Sequence, residues 1–185
     1  MRFLVLILLF FNIISYSKAQ ENDTIYWNSK TKLKWNDFNF NIPDSCSKYH
    51  AAAMTFSGIH VKSFWENKLP NYNIKVYFIK SESCAKDTSS LVKISHEQLH
   101  FDISELYARK MRKVIEKLRS ENSSILFAYR DSLKILGRKK MLYQDIYDTE
   151  TSHGIIDSIQ VHWEKKVRDE LELLKRYEIV QNELK

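Results

Sequence analysis

The sequence predicts an α+β domain in which a small N-terminal β-sheet is followed by three helices. Three observations carry this expectation. Short runs rich in β-branched and aromatic residues crowd the first half of the chain. Apolar residues at helical spacing run through the second half. Only three glycines and two prolines occur in 185 residues, too few to punctuate several domains or long linkers. Strands first and helices after give α+β rather than an alternating parallel fold.

The N-terminus reads as a removable signal, residues 1–19. Arg2 supplies the positive end, Phe3 to Ile14 an apolar stretch broken only by Asn12, and Ser17-Lys18-Ala19 a small-x-small cleavage site. The stretch is shorter than the roughly 20 residues that cross a bilayer. No cysteine stands near the junction to carry a lipid, so no membrane anchor is expected after cleavage. Residues 20–185 then form a single exported domain, secreted or periplasmic, large enough for a real core.

Three strands are expected: Lys32 to Trp35, Phe56 to Phe64, and Ile74 to Lys80. The last, Ile-Lys-Val-Tyr-Phe-Ile-Lys, is bounded by Asn73 and Ser81. The first helix draws its N-cap from Thr88, Ser89 or Ser90 and runs to about Arg119. A second runs from about Ser124 to Leu136 and stops at Gly137. A third spans about Ile155 to Val180, with Ile156, Ile159, Trp163, Val167, Leu171 and Leu174 at helical spacing.

A formal charge of +6 is spread along the chain, and only Arg138-Lys139-Lys140 forms a run, read as a solvated loop. So weak a basic patch argues against nucleic-acid binding. Two cysteines, Cys46 and Cys84, allow one pairing, and in an oxidising compartment that suggests a disulfide.

The chemistry lies at residues 96–100, His-Glu-Gln-Leu-His, an HExxH pattern on the first expected helix. Spacing i, i+4 stacks His96 and His100 one turn apart, so two imidazoles can share one ion. Zinc accepts neutral imidazole and tolerates an open position for water. Glu97 stands at the edge of that face, where it can take a proton from such a water. With His96 at 0° on a helical wheel, Val92, Leu99, Ile103, Leu106, Tyr107, Met111, Val114 and Leu118 fall within about 80° of it. Both histidines therefore point into the apolar stripe, where buried imidazoles need partners.

A catalytic zinc needs a third protein ligand. Glu105 falls opposite His96, on the outer face beside Arg109 and Arg112, and an ion pair accounts for it. If the first two helices form an antiparallel hairpin, the chain after Gly137 returns toward the start of the first helix. That places His153 near His96 and His100, with Glu150 as the alternative and Asp148 behind it. Tyr107, Tyr143 and Tyr147 are candidate hydrogen-bond donors to a transition state.

The run from His96 to Lys110, HEQLHFDISELYARK, resembles the central block of a family of bacterial secreted zinc-dependent proteases, first named as a domain of unknown function. Leu33-x-Trp35-x-Asp37-Phe38, Pro43, Ala51-Ala52-Ala53 and Ser57-Gly58-Ile59 resemble its N-terminal pattern. Tyr147-Asp148-x-Glu150-Thr151-x-His153-Gly154, then Gln160 and Trp163, resemble its second block. Leu99 stands where that pattern carries glycine. The resemblance implies an exported bacterial protein of the Bacteroidetes type and a zincin-like build. It implies His96 and His100 as zinc ligands and Glu97 as catalytic base, and it supports His153.

The expected activity is that of a zinc metallohydrolase, a peptidase on peptide or protein substrates. The Ile74–Lys80 strand is expected to offer an edge for an extended peptide. The alternative is a non-catalytic exported zinc-binding or envelope-interaction protein, whose ion would be closed off by Glu150 or Asp148.

Overall fold

A computed structural model describes residues 23–40, 52–86 and 88–179. The expected signal segment, Cys46 and Val180 lie outside the described residues. Described strands are β1 (Thr24–Tyr26), β2 (Ala53–Met54), β3 (Ser57–Glu66), β4 (Leu69–Ile79) and β5 (Cys84–Ala85). The helices are α1 (Leu91–Ser120), α2 (Leu126–Thr151) and α3 (Asp157–Leu173), with 3₁₀ turns at Trp35–Asp37 and Lys175–Tyr177. The fold is α+β, a small sheet followed by three helices, as the patterning predicts.

β3 and β4 form a hairpin paired from Ser57↔Phe78 to Glu66↔Leu69. Its two-residue turn, Asn67-Lys68, has φ of 51° and 63° at the two positions, the type I′ requirement that matches strand twist. β1 adds antiparallel along Tyr77–Ile79, giving the order β1-β4-β3. β4 is therefore the central strand, and Ile74–Lys80 is not the free edge expected for it. β2 and β5 make a separate two-stranded ladder. Lys32–Trp35 forms no strand, because its backbone donors go to side chains. Leu33 N–H donates to Gln98 Oε1 at 2.8 Å, and Lys34 N–H to Asp37 Oδ2 at 2.9 Å.

Alternation along β4 puts Ile74, Val76 and Phe78 on the face that meets α1, in one core with Phe101, Ala108, Met111 and Ile115. Leu99, Ile103, Leu106 and Tyr107 form a second core with Tyr147 of α2 and Trp163 and Val167 of α3. Helix α1 thus lies between the sheet and the other two helices. That layering corrects the expected outer face: Glu105 and Arg109 are each 2% exposed. Asp102 and Glu105 are both paired. Asp102 accepts from Trp27 Nε1 at 2.7 Å, Gln98 Nε2 at 2.8 Å and Lys32 Nζ at 3.1 Å. Glu105 Oε1 accepts from Arg109 Nε at 3.0 Å and Arg112 Nη1 at 2.8 Å.

Helix α1 begins where the caps predict, with Ser90 Oγ accepting from Lys93 N–H at 3.3 Å. Helix α2 does not stop at Gly137. It continues to Thr151, and Arg138-Lys139-Lys140 is helical rather than a loop. A Cβ on Gly137 would meet nothing within 4 Å, so this glycine costs the helix only its roughly 1 kcal/mol propensity deficit. Packing of Tyr129, Tyr143 and Tyr147 outweighs that. Ring contacts Tyr107–Tyr143 and His96–Tyr147 show α2 running antiparallel to α1. Cys84 is buried and is not a free thiol. Among the described residues no helix is long and apolar enough to cross a membrane.

Candidate metal centre

Three helices and one short strand segment build the site. α1 presents His96, Glu97 and His100; the last turns of α2 present Gln144, Tyr147 and Asp148 at helical spacing; α3 returns Gln160 to the same level. Ala52–Thr55 close one side of a cleft of about 280 Å³ over His96, Glu97, His100 and Asp148.

Three ligand-type atoms converge there. His96 Nε2 lies 3.2 Å from His100 Nε2, and Asp148 Oδ1 lies 3.1 Å from the first and 2.9 Å from the second. Nitrogen and oxygen ligands about 2.0–2.1 Å from one ion at tetrahedral angles stand about 3.3–3.4 Å apart. The observed triangle is that face, slightly contracted. It is the group of His, Cys, Asp and Glu side chains suited to an ion among the described residues.

The hydrogen-bond roles around His96 leave one corner of the triangle as a lone pair. Gln160 Nε2 can only donate, and it does so to Glu164 Oε1 at 3.0 Å. Its Oε1, which accepts from Tyr147 Oη–H at 2.7 Å, therefore faces His96 Nδ1 at 3.2 Å. Nδ1 must carry the proton, which leaves Nε2 of neutral His96 as a bare lone pair aimed toward another acceptor, Asp148 Oδ1. Acceptors this close repel unless a proton or a metal ion sits among them.

The titration behaviour reports the same crowding. Burial alone would lower the pKa of His100, but its hydrogen bond to Asp148 and the charges of Glu97 and Asp148 outweigh burial and raise it. Burial would raise the carboxyl of Asp148, but the imidazoles of His100 and His96 against it hold it well below the ordinary carboxylate range. Asp148 is thus an anion, as a ligand must be. Burial pushes the Tyr147 phenol up, as do Glu97 and Asp148, so it stays a donor.

Glu97 is 5% exposed, lines the cleft, and has an Oε2 with no hydrogen-bond partner. The peptide carbonyl of the same residue accepts from Thr55 Oγ1 at 3.2 Å, which ties α1 to the segment closing the cleft.

His96, Glu97 and His100 line one cleft. The third corner differs: Asp148 occupies it, not His153. His153 follows the end of α2 with φ of 54°, its side chain is 72% exposed, and its Nδ1 is 3.9 Å from Asp148 Oδ1. Glu150 is engaged elsewhere, accepting from Trp163 Nε1 at 2.8 Å. The reason is the length of α2. Read as ending at Gly137, the chain delivers its loop, with His153, to the site. Continued to Thr151, it delivers a helix face instead, on which Gln144 and Asp148 are one turn apart. That i, i+4 pair, with Tyr147 beside it, is the sequence signal that points to the third corner.

The chain matches no protein-family model, and comparisons with curated proteins and with solved structures found no match.

Proposed function

We propose that this chain is an exported zinc-dependent metallohydrolase of zincin-like build, a peptidase, with the ion held by His96, His100 and Asp148. One observation carries the reading: three acceptor atoms within 3.2 Å of one another sit in a cleft beside the buried, unpartnered Oε2 of Glu97. Two imidazoles and one carboxylate suit zinc and leave an open fourth position. A zinc ion held there supplies a more acidic water and polarises a carbonyl. Glu97 takes the proton of the attacking water on Oε2 and delivers it to the departing amine. Tyr147 and Gln160 hold His96, and Gln144 Nε2 donates to the His100 carbonyl at 3.2 Å, so the ligating helix turn is braced from α2 and α3.

The cleft wall favours a peptide substrate. Lys86 N–H donates to Ala52 O at 2.7 Å and Ala53 pairs with Ala85, so the antiparallel pattern turns the Ala53 N–H and C=O away from β5. An extended peptide has backbone groups to match such an edge. Export rests on the N-terminal signal pattern.

The test is elemental analysis of the purified protein together with a peptide-library cleavage assay, each run with and without chelator and repeated on Glu97→Gln. One zinc per chain is expected, with cleavage abolished by chelator. Glu97→Gln keeps the zinc and loses about 10²- to 10⁴-fold in rate. A parent protein empty of metal, or a Glu97→Gln variant as fast as the parent, defeats the reading. One observation favours a non-catalytic alternative: His153 Nδ1 lies within 3.9 Å of Asp148 Oδ1 and could close the fourth position. Zinc without turnover selects it.

A further inference from the structure

His96 has one proton to place when neutral: Gln160 Oε1 stands 3.2 Å from Nδ1, while Asp148 Oδ1 at 3.1 Å and His100 Nε2 at 3.2 Å stand against Nε2. The outcome decides whether Nε2 is a lone pair or an N–H. Ionised Asp148 is the stronger acceptor. Left alone with His96, it draws the proton to Nε2 and blocks the atom a metal needs.

We infer that Gln160 is the positioning residue that wins this competition, by virtue of Glu164, and so holds His96 ready for a metal ion; the inference rests on the metal reading proposed above. Gln160 is 1% exposed, so its amide has no solvent to satisfy it. Its orientation is set from both ends. Glu164 Oε1 accepts from Nε2, and the Tyr147 hydroxyl donates to Oε1. An inverted amide would set its carbonyl against the Glu164 carboxylate and its NH₂ against the Tyr147 proton. Oε1 is therefore kept toward Nδ1. Glu164 lies one turn beyond Gln160 on α3, so two residues at i, i+4 pass the preference of a carboxylate through an amide to an imidazole.

Tyr147 has a second part in this. Its ring stacks on His96 with centroids 4.6 Å apart and planes 25° from parallel. The imidazole is held in plane by the ring and in register by the amide, and outer partners of this kind commonly govern metal affinity about 10- to 100-fold.

The test has two readouts, one of which needs no metal. Nitrogen-15 NMR of histidine-labelled, metal-free protein at mildly alkaline pH reports the His96 tautomer. The parent is expected to show Nδ1–H. Gln160→Met, close in shape but without an acceptor, is expected to move the proton to Nε2 and weaken zinc binding about 10- to 100-fold in a chelator competition. Glu164→Ala, on a partly exposed position that does not touch His96, is expected to shift both readouts in the same direction and less far. It serves as the test if Gln160→Met does not fold. Glu164→Gln keeps an acceptor for Nε2 and is expected to restore both. An unchanged tautomer and zinc affinity in the folded variants overturns the inference. A parent with Nδ1–H that binds no zinc supports the positioning of the proton and overturns the metal reading instead.

Discussion

Gly154 lies so close to His96 that a Cβ on it would stand 2.9 Å from both Cβ and Cγ of the histidine. Its φ of +76° follows left-handed values at Ser152 and His153, so three consecutive residues turn the chain from α2 into α3. Thr151 anchors the turn: its hydroxyl donates to Tyr147 O at 2.7 Å and accepts from Gly154 N–H at 3.2 Å. The tight turn brings the backbone against His96, and only a residue without a side chain fits both demands.

Gly154→Ala is expected to destabilise the protein by about 1–3 kcal/mol, from the left-handed backbone and the displacement of His96 together. Urea denaturation measures the first effect. Zinc competition, expected to show weaker binding, measures the second. A variant as stable as the parent would show that the turn can relax without moving His96.

Asp148 and His153 make opposite predictions. Asp148→Asn removes the anionic corner of the triangle and is expected to weaken zinc binding by more than the roughly 100-fold that loss of an outer partner costs. His153→Ala is expected to leave affinity nearly unchanged, since its ring is mostly in solvent. Titration calorimetry or a fluorescent zinc competitor separates the two. A loss of about tenfold or more in His153→Ala would favour the closed, non-catalytic site.

Glu105 holds two arginines inside the protein. Arg109 Nη1 also donates to Leu171 O at 2.8 Å, and Arg112 Nη1 to Tyr177 O at 2.8 Å. Arg112 Nη2 reaches Ile74 O at 2.8 Å. The carboxylate therefore stands at the centre of contacts from α1 to β4 and to the C-terminal segment. Glu105→Ala leaves Arg112 without a carboxylate partner and Arg109 with only Glu178, 2.8 Å from its Nη2, and is expected to cost about 3 kcal/mol in urea denaturation. Asp169→Ala, which breaks an exposed pair with Lys165 on α3, is the control and should not move the midpoint.

Glu170 gives the fold a measurable acid dependence. Burial raises its pKa, but hydrogen bonds from Lys110 Nζ at 2.8 Å and Tyr143 Oη–H at 2.7 Å outweigh burial and lower it. The folded value lies below the unfolded one near about 4.3. Its contribution is therefore complete above the unfolded value and fades as pH falls through that value and then through the folded one. Urea midpoints taken between about pH 6 and pH 3 should fall more steeply in the parent than in Glu170→Gln, by on the order of 1 kcal/mol or less. Equal slopes would show that Glu170 is not held in its ionised form.

Much of the architecture was legible because it depends on local patterning. The caps at Ser90, the histidines one turn apart and the alternation through Ile74, Val76 and Phe78 are all short-range facts. Gly137 misled because its helix penalty is about 1 kcal/mol, and the aromatic contacts of α2 with α1 and α3, which no local window contains, exceed it. Lys32–Trp35 misled for a similar reason: strand-like composition was overruled by the buried amide of Gln98, 65 residues away from Leu33.

The site divides along the same line. The order of residues alone determined that His96 and His100 share a helix face with a glutamate between them, since an α-helix converts spacing into direction. Tertiary structure decided that Asp148 rather than His153 completes the triangle, that Glu105 and Arg109 are buried, and that Gln160 meets His96. Each of those contacts joins separate helices or layers, and their relative placement is set by packing across the whole domain.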